Sequence, residues 1–233
     1  MSYKGEISFS CVLFEGTKVQ NHSKGLYDPS WVNKLYRGVK RNSERDVRFV
    51  CITDFEGGFD GGIETIPFTL PNRNYYSLLE VLRPELNLGR MILTGLDTVI
   101  TGSLEDIYGY DGKYGLISNY PKALLPKKWQ ECYHRIALCN GVMYTSQEIS
   151  DYLWAMYKER PDHWEKTSIL PNHSEGSEMC FLYEQAPYEI DTLDYLFPGQ
   201  ILSFKRHIDF KSHWVQKDTE PDCHWSYDDP RII

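Results

Sequence analysis

The first candidates for chemistry in this sequence are the carboxylates that stand where apolar runs stop. Three such junctions occur: Phe14-Glu15-Gly16, Thr53-Asp54 and Gly95-Leu96-Asp97. The third closes the run RMILTGL and is followed by Thr-Val-Ile-Thr-Gly. A carboxylate there is placed to hold a hard cation against a diphosphate, because magnesium and manganese take oxygen ligands and keep substrate phosphates in their shell. Asp also caps turns. Its place favours the ligand role for Asp97, since alternating strands and helices bind ligands beyond the carboxyl ends of strands, where strand order switches. Thr53-Asp54 fits turn chemistry equally well. Glu105 and Asp106 belong to the first turn of a short helix, where acidic groups oppose the helix dipole.

Several other chemistries are missing. The seven histidines show no HExxH or HxxxH spacing, which argues against a zinc hydrolase. No GxSxG elbow and no P-loop lysine occur, which argues against hydrolase and kinase readings. The glycine-rich piece EGGFDGGIE has no GxGxxG spacing and no helix directly behind it, so it is a weak phosphate cradle.

The elements that must position these residues read as alternating strands and helices. Residues 7–14 form a short apolar run rich in β formers. Asp28-Pro29 starts a helix, with Asp as cap and Pro at the first position, and Trp31, Val32, Leu35, Tyr36 and Val39 give it one apolar face. Residues 47–52 form the next strand, so the chain opens β-α-β, which requires a parallel sheet. IETIPF follows as a short strand, and a helix over 75–83 is stopped by Pro84. RMILT, a short SLEDI helix, and strands at 114–119 and 141–145 come next. Thr145-Ser-Gln-Glu148 predicts a capping box, and Ile149, Tyr152, Leu153, Met156 and Tyr157 the buried stripe of its helix. Residues 161–174 read as polar loop, 177–185 as helix and 200–204 as a late strand. No internal repeat or low-complexity linker interrupts the chain.

Composition bounds the partners. A net charge of −8 over 233 residues disfavours nucleic acid, whose phosphates select basic faces. The six cysteines, at 11, 51, 132, 139, 180 and 223, form no CxxC pair. Several sit inside apolar runs, so reduced thiols and a reducing compartment are expected. The first residues lack the pattern of a secretory signal, and no uncharged stretch approaches a membrane span. A cytoplasmic protein is expected.

RMILTGLDTVITGSLEDI resembles the central segment of GT-A type glycosyltransferases, in particular the glycogenin-like and bacterial lipopolysaccharide galactosyltransferase-like group. That segment runs strand, Asp-x-Asp, then Thr-Val-Ile-x-Gly-(Asp/Ser)-Leu. GLYDPSWVNKLYRGVKRNSERDVRFVCITD is similar to the group's first helix and second strand, and LCNGVMYTS to its Asn-x-Gly-Val-Met strand. The resemblance implies a GT-A, Rossmann-like α/β fold over residues 1–205 with a mostly parallel central sheet flanked by helices, and an irregular C-terminal extension over 206–233. It implies transfer of a sugar from a nucleotide-diphosphate donor, a UDP-sugar above all, to a glycan or other hydroxyl acceptor, assisted by manganese or magnesium.

By the same resemblance, Asp97 takes the place of the second Asp of Asp-x-Asp and would bind metal and pyrophosphate. Thr53 and Asp54 lie near the nucleotide base, Asn140 against the donor sugar, and Glu178 at a glutamine position facing the acceptor, in a catalytic role. Four positions depart from the pattern, one of them Ser177, where the group has an Asp. The first Asp is Gly95. A basic residue expected in the preceding helix is Leu78, for which Arg73 or Arg83 could compensate. The metal-binding His that follows DDPRII in the group has only His207, His213 and His224 as weak substitutes. The departures favour an alternative, a sugar-nucleotide or glycan-binding domain that kept the fold and lost catalysis. Under the transferase reading, the Asp97 carboxylate faces an open cleft beside the tip of the CIT strand.

Overall fold

The computed structural model describes residues 7–15, 27–71, 73–118, 138–168 and 177–202. Among them, β1 (Ile7–Leu13), β2 (Arg48–Thr53), β3 (Ile63–Ile66), β4 (Arg90–Thr94), β5 (Tyr114–Ser118), β6 (Leu138–Thr145) and β7 (Asp191–Thr192) form one sheet in the order β3-β2-β1-β4-β6-β5-β7. β1 pairs in parallel with both β2 and β4, β3 with β2, and β7 with β5. β6 runs antiparallel to both its neighbours. The expected α/β architecture with a mostly parallel sheet is present. The strand order turns at β1: β2 and β3 extend to one side and β4 to the other.

β1 explains its own central place. Ile7, Phe9, Cys11 and Leu13 turn to one core with Phe49 and Cys51, and nearly every residue of the strand is buried. Burial on both faces is what a continuous apolar run requires of a parallel strand. On that face lies α1 (Pro29–Arg41), which presents Val32, Leu35 and Val39 to the sheet. Asp28 caps it as expected, accepting from the Ser30 N–H at 2.8 Å. The opposite face is covered by a tight helix over Tyr75–Leu82, by α3 (Gln147–Glu159) and by α5 (Glu178–Glu184). The remaining described helices are a short 3-10 turn over Pro84–Leu86, α2 (Glu105–Tyr108), α4 (Pro161–Thr167) and α6 (Leu193–Leu196).

Several elements differ from the sequence expectation. The 75–83 helix is wound as 3-10 rather than α, with Asn74 and Ser77 capping each other's backbone and Tyr76, Leu79, Val81 and Leu82 all buried. Packing of that side-chain set, rather than helix propensity, sets the winding. The Thr145–Glu148 capping box does not form. Ser146 is the cap residue and makes no side-chain cap bond, while Glu148 accepts from Lys113 Nζ at 3.0 Å and Tyr188 Oη at 2.9 Å. Tyr152 is exposed, leaving Ile149, Leu153 and Tyr157 as the fully buried stripe. Residues 161–167 are helical, started by Pro161 at the first position. Residues 200–202 form a turn and bend rather than the start of a strand; 203 and 204 lie outside the described residues. Cys11 and Cys51 are free thiols, in register on adjacent strands. No described helix is long and apolar enough to cross a membrane.

Candidate functional site

The carboxyl ends of β1, β2 and β4 lie at one edge of the sheet, and antiparallel β6 brings its first residues to the same edge. Thr94 pairs with Val142, and one residue further the Gly95 N–H donates to the Gly141 carbonyl at 3.3 Å. On its other side β6 leaves the ladder. Leu116 pairs with Met143, but Ile117 already pairs with Cys139, so residues 140–142 bulge outward. A bulge re-aims side chains, and here the re-aimed residue is Asn140.

At the β4 tip a turn closes by a bond from the Thr98 N–H to the Gly95 carbonyl at 3.2 Å. The Asp97 side chain stands exposed on this turn, and among the described residues it has no hydrogen bond or ion pair. It lines a cavity of about 210 Å³ between the β1 and β4 tips, whose described walls are Val12, Leu13, Phe14, Tyr27, Gly95 and Leu96. Tyr27 was not singled out from sequence; its signal is its place just before the Asp28-Pro29 helix start. Partial burial, then the Asp97 charge, raises its phenol above the ordinary tyrosine range. Gly95 is there for space. A Cβ on it would lie 2.7 Å from Asp97 Oδ1, so the carboxylate occupies the room that a side chain at 95 would need.

The β2 tip is different. β1 separates it from β4, so the two tips flank β1 rather than lying side by side. Thr53 is buried, and its hydroxyl accepts from the Phe55 N–H at 3.1 Å, holding the turn. Asp54 accepts from the Glu15 N–H at 2.9 Å and from Arg73 Nε at 3.1 Å. The Arg73 guanidinium also donates to the Leu70 carbonyl at 2.6 Å and lies 4.0 Å over the Phe68 ring. Arg83 is committed further inside. Its Nε sits 3.3 Å from Glu80 and its Nη2 donates to the Pro67 carbonyl at 3.1 Å. Leu78 packs on the core of this face.

Behind the bulge, Asn140 Nδ2 donates to Glu178 Oε1 at 3.0 Å. Glu178 begins α5, is 9% exposed, and its Oε2 is buried with no hydrogen-bond partner among the described residues. Burial raises its carboxyl above the usual carboxylate range, opposed in part by the Asn140 amide. The structure thus brings Gly95 and Asp97 together, joins Asn140 to Glu178 through the β6 bulge, and holds Thr53, Asp54 and Arg73 as a separate group across β1. His207, His213, His224 and the 206–233 extension lie outside the described residues.

Among the described residues no three His, Cys, Asp or Glu side chains are grouped to hold a metal. A divalent cation therefore fits only in the manner magnesium commonly adopts, with one protein carboxylate and the rest of its shell from substrate phosphate and water.

No protein-family model matches the sequence, and no curated protein matches it. Solved structures do match in fold. A crystal structure of the galactosyltransferase LgtC in complex with donor and acceptor sugar analogues superposes with a TM-score of 0.53 at 11% identity, over 82% of this chain and 78% of that one. An active-site mutant of LgtC gives 0.50 at 11%, over 82% and 77%. The chain has the GT-A fold of these glycosyltransferases.

Proposed function

We propose that this protein moves a sugar from a nucleotide-diphosphate donor, a UDP-sugar, to an acceptor hydroxyl. One observation carries the reading. At the edge where strand order turns, a carboxylate with no partner among the described residues faces a cavity between the β1 and β4 tips. That edge is where open α/β sheets bind nucleotides.

Asp97 would hold a manganese or magnesium ion, which would supply positive charge to the diphosphate leaving group. Tyr27 and Phe14 wall the cavity and exclude water from one side of it. Asn140 contacts the donor sugar, its amide fixed by Glu178 Oε1. The Glu178 Oε2, buried and unpartnered among the described residues, faces the acceptor side and holds or takes a proton there. Arg73, engaged by Asp54, contributes positive field near the nucleotide without leaving its partner.

A second reading, a sugar-nucleotide-binding domain without catalysis, is favoured by Gly95, whose position offers no second ligand. Calorimetry with UDP, with and without manganese, separates the two. Metal-enhanced binding that Asp97→Asn abolishes supports the transferase; metal-independent binding supports the second reading, and no binding at all removes both. A donor-hydrolysis screen across nucleotide sugars with manganese then tests turnover.

A further inference from the structure

The Asp54–Arg73 group and the Asn140–Glu178 pair, set apart in the sheet, meet at a buried tyrosine. Tyr76 sits in the first turn of the tight helix over Tyr75–Leu82 and is 1% exposed. Its hydroxyl donates to the Trp164 carbonyl at 2.9 Å and, at 3.3 Å, to the Ser177 carbonyl. Ser177 caps α5 and precedes Glu178. The same Ser177 carbonyl accepts from the Phe181 N–H at 3.2 Å, the first bond of that helix, and the Ser177 N–H donates to the Ser168 carbonyl at 2.7 Å. The start of α5 is thus pinned on both sides. From it Glu178 accepts from Asn140 Nδ2 at 3.0 Å.

The other end of the tyrosine's helix is held as firmly. Asn74 caps it by accepting from the Tyr76 N–H at 2.9 Å, and Arg73, one residue earlier, donates to Asp54. A line of bonded groups therefore runs from Arg73 through Tyr76 and Ser177 to Glu178 and Asn140. Packing does not call for the hydroxyl in that line. The Tyr76 ring stacks on Tyr157 at 5.5 Å and tilts against Phe181 at 6.4 Å, contacts that a phenylalanine would make as well. A buried hydroxyl nets little stability once its lost hydration is counted. What it adds is direction. A helix as short as α5 takes its place from tertiary contacts rather than from its own bonds, and a bond to its first carbonyl fixes where it starts.

We propose that Tyr76 is a positioning residue for the donor sugar: its hydroxyl sets the start of α5, so that Glu178 orients the Asn140 amide. The inference rests on the reading that Asn140 contacts that sugar, and it extends the reading to a residue that touches no substrate. Tyr76 acts through Ser177 and Glu178, so its removal is felt at the sugar and not at the diphosphate, which Asp97 serves from the other side of β6.

The first measurement uses the full chain without ligand. With isotope-labelled asparagine, the Asn140 side-chain amide is the NMR signal lost in Asn140→Ser, and its hydrogen exchange with water is followed. Tyr76→Phe should speed that exchange about tenfold, the weight of one net hydrogen bond. Tyr157→Phe is the control. It removes a neighbouring buried hydroxyl of the same stack, bonded to Glu165 at 2.8 Å, and should lower Tm while leaving the Asn140 signal unmoved. Unchanged exchange in Tyr76→Phe, or equal acceleration in Tyr157→Phe, overturns the proposal. The second measurement adds manganese and compares UDP with UDP-galactose and UDP-glucose by calorimetry. Tyr76→Phe should bind UDP as the native sequence does and the preferred UDP-sugar about tenfold more weakly. A variant that keeps the full preference for the sugar overturns the proposal. A native chain with no such preference overturns the donor reading itself, a failure that the ligand-free exchange data tell apart from failure of the tyrosine to hold Glu178 and Asn140.

Discussion

Two aspartates stand at the ends of the two apolar strands that flank β1, and the fold treats them oppositely. Asp54 ends a chain of bonds that begins deep in the molecule. Buried Glu80 accepts from Thr69 N and Leu70 N, Leu70 carbonyl accepts from Arg73, and Arg73 reaches Asp54, which accepts from the β1 tip. Asp97 has no such chain behind it and meets a cavity instead. The same residue type at equivalent topological positions is structural in one case and open to a ligand in the other. What separates them is not the strand end but whether a cation from a distant loop has already reached it.

The comparison is broken most forcefully at its root. Arg83→Met leaves the Glu80 charge buried beside its backbone donors, and removing one partner of a buried pair costs about 3–5 kcal/mol. Chemical denaturation should show a loss of that order. A change within about 0.5 kcal/mol, ordinary for a surface site, would mean the bond chain carries no weight. Next come the two aspartates themselves. Asp54→Asn sets an amide against Arg73 and should lower stability by about 1–3 kcal/mol. Asp97→Asn should leave stability within about 0.5 kcal/mol while abolishing the manganese-dependent part of UDP binding. If instead Asp97→Asn destabilises as much as Asp54→Asn, the open carboxylate is a turn cap and the contrast fails. Smaller again is Gly95→Ala, whose methyl meets Asp97 Oδ1. It should weaken metal-dependent UDP binding several-fold and leave the denaturation midpoint in place.

The frame of the fold was legible because local signals agreed with burial. The alternation of apolar runs gave β1, β2 and β4, and Asp28-Pro29 marked the start of α1 to the residue. The 161–167 helix was missed because its polar surface buries no side chain fully, so no apolar period announces it. The capping box failed because Glu148 has a better partner in Lys113, thirty-five positions away. The site divides the same way. The exposed Asp97 followed from its strand. The capture of Asp54 by Arg73 and the 140–142 bulge depend on contacts between segments far apart in sequence, which spacing alone does not encode.

The smallest effect concerns Glu178, which sits between the two cases, bonded to Asn140 on one oxygen and, among the described residues, unpartnered on the other. Burial raises its folded-state pKa above the value of about 4.3 expected in the unfolded chain. The native state therefore keeps a proton that the unfolded state has released, and linkage then makes stability fall as pH rises. This group's contribution is fully present below the unfolded pKa and is lost as pH passes through the raised folded value. Glu178→Gln preserves the shape and the acceptor for Asn140 Nδ2 and removes the titration. Its stability relative to the native sequence should be lowest near pH 4 and increase with pH, then level off above the folded pKa. Denaturation midpoints of both proteins across that range give the curve. A difference that stays flat with pH would show that Glu178 titrates in the folded protein as it does in the unfolded chain, its burial offset by a partner for Oε2. In that case it belongs with the engaged Asp54 rather than with the open Asp97.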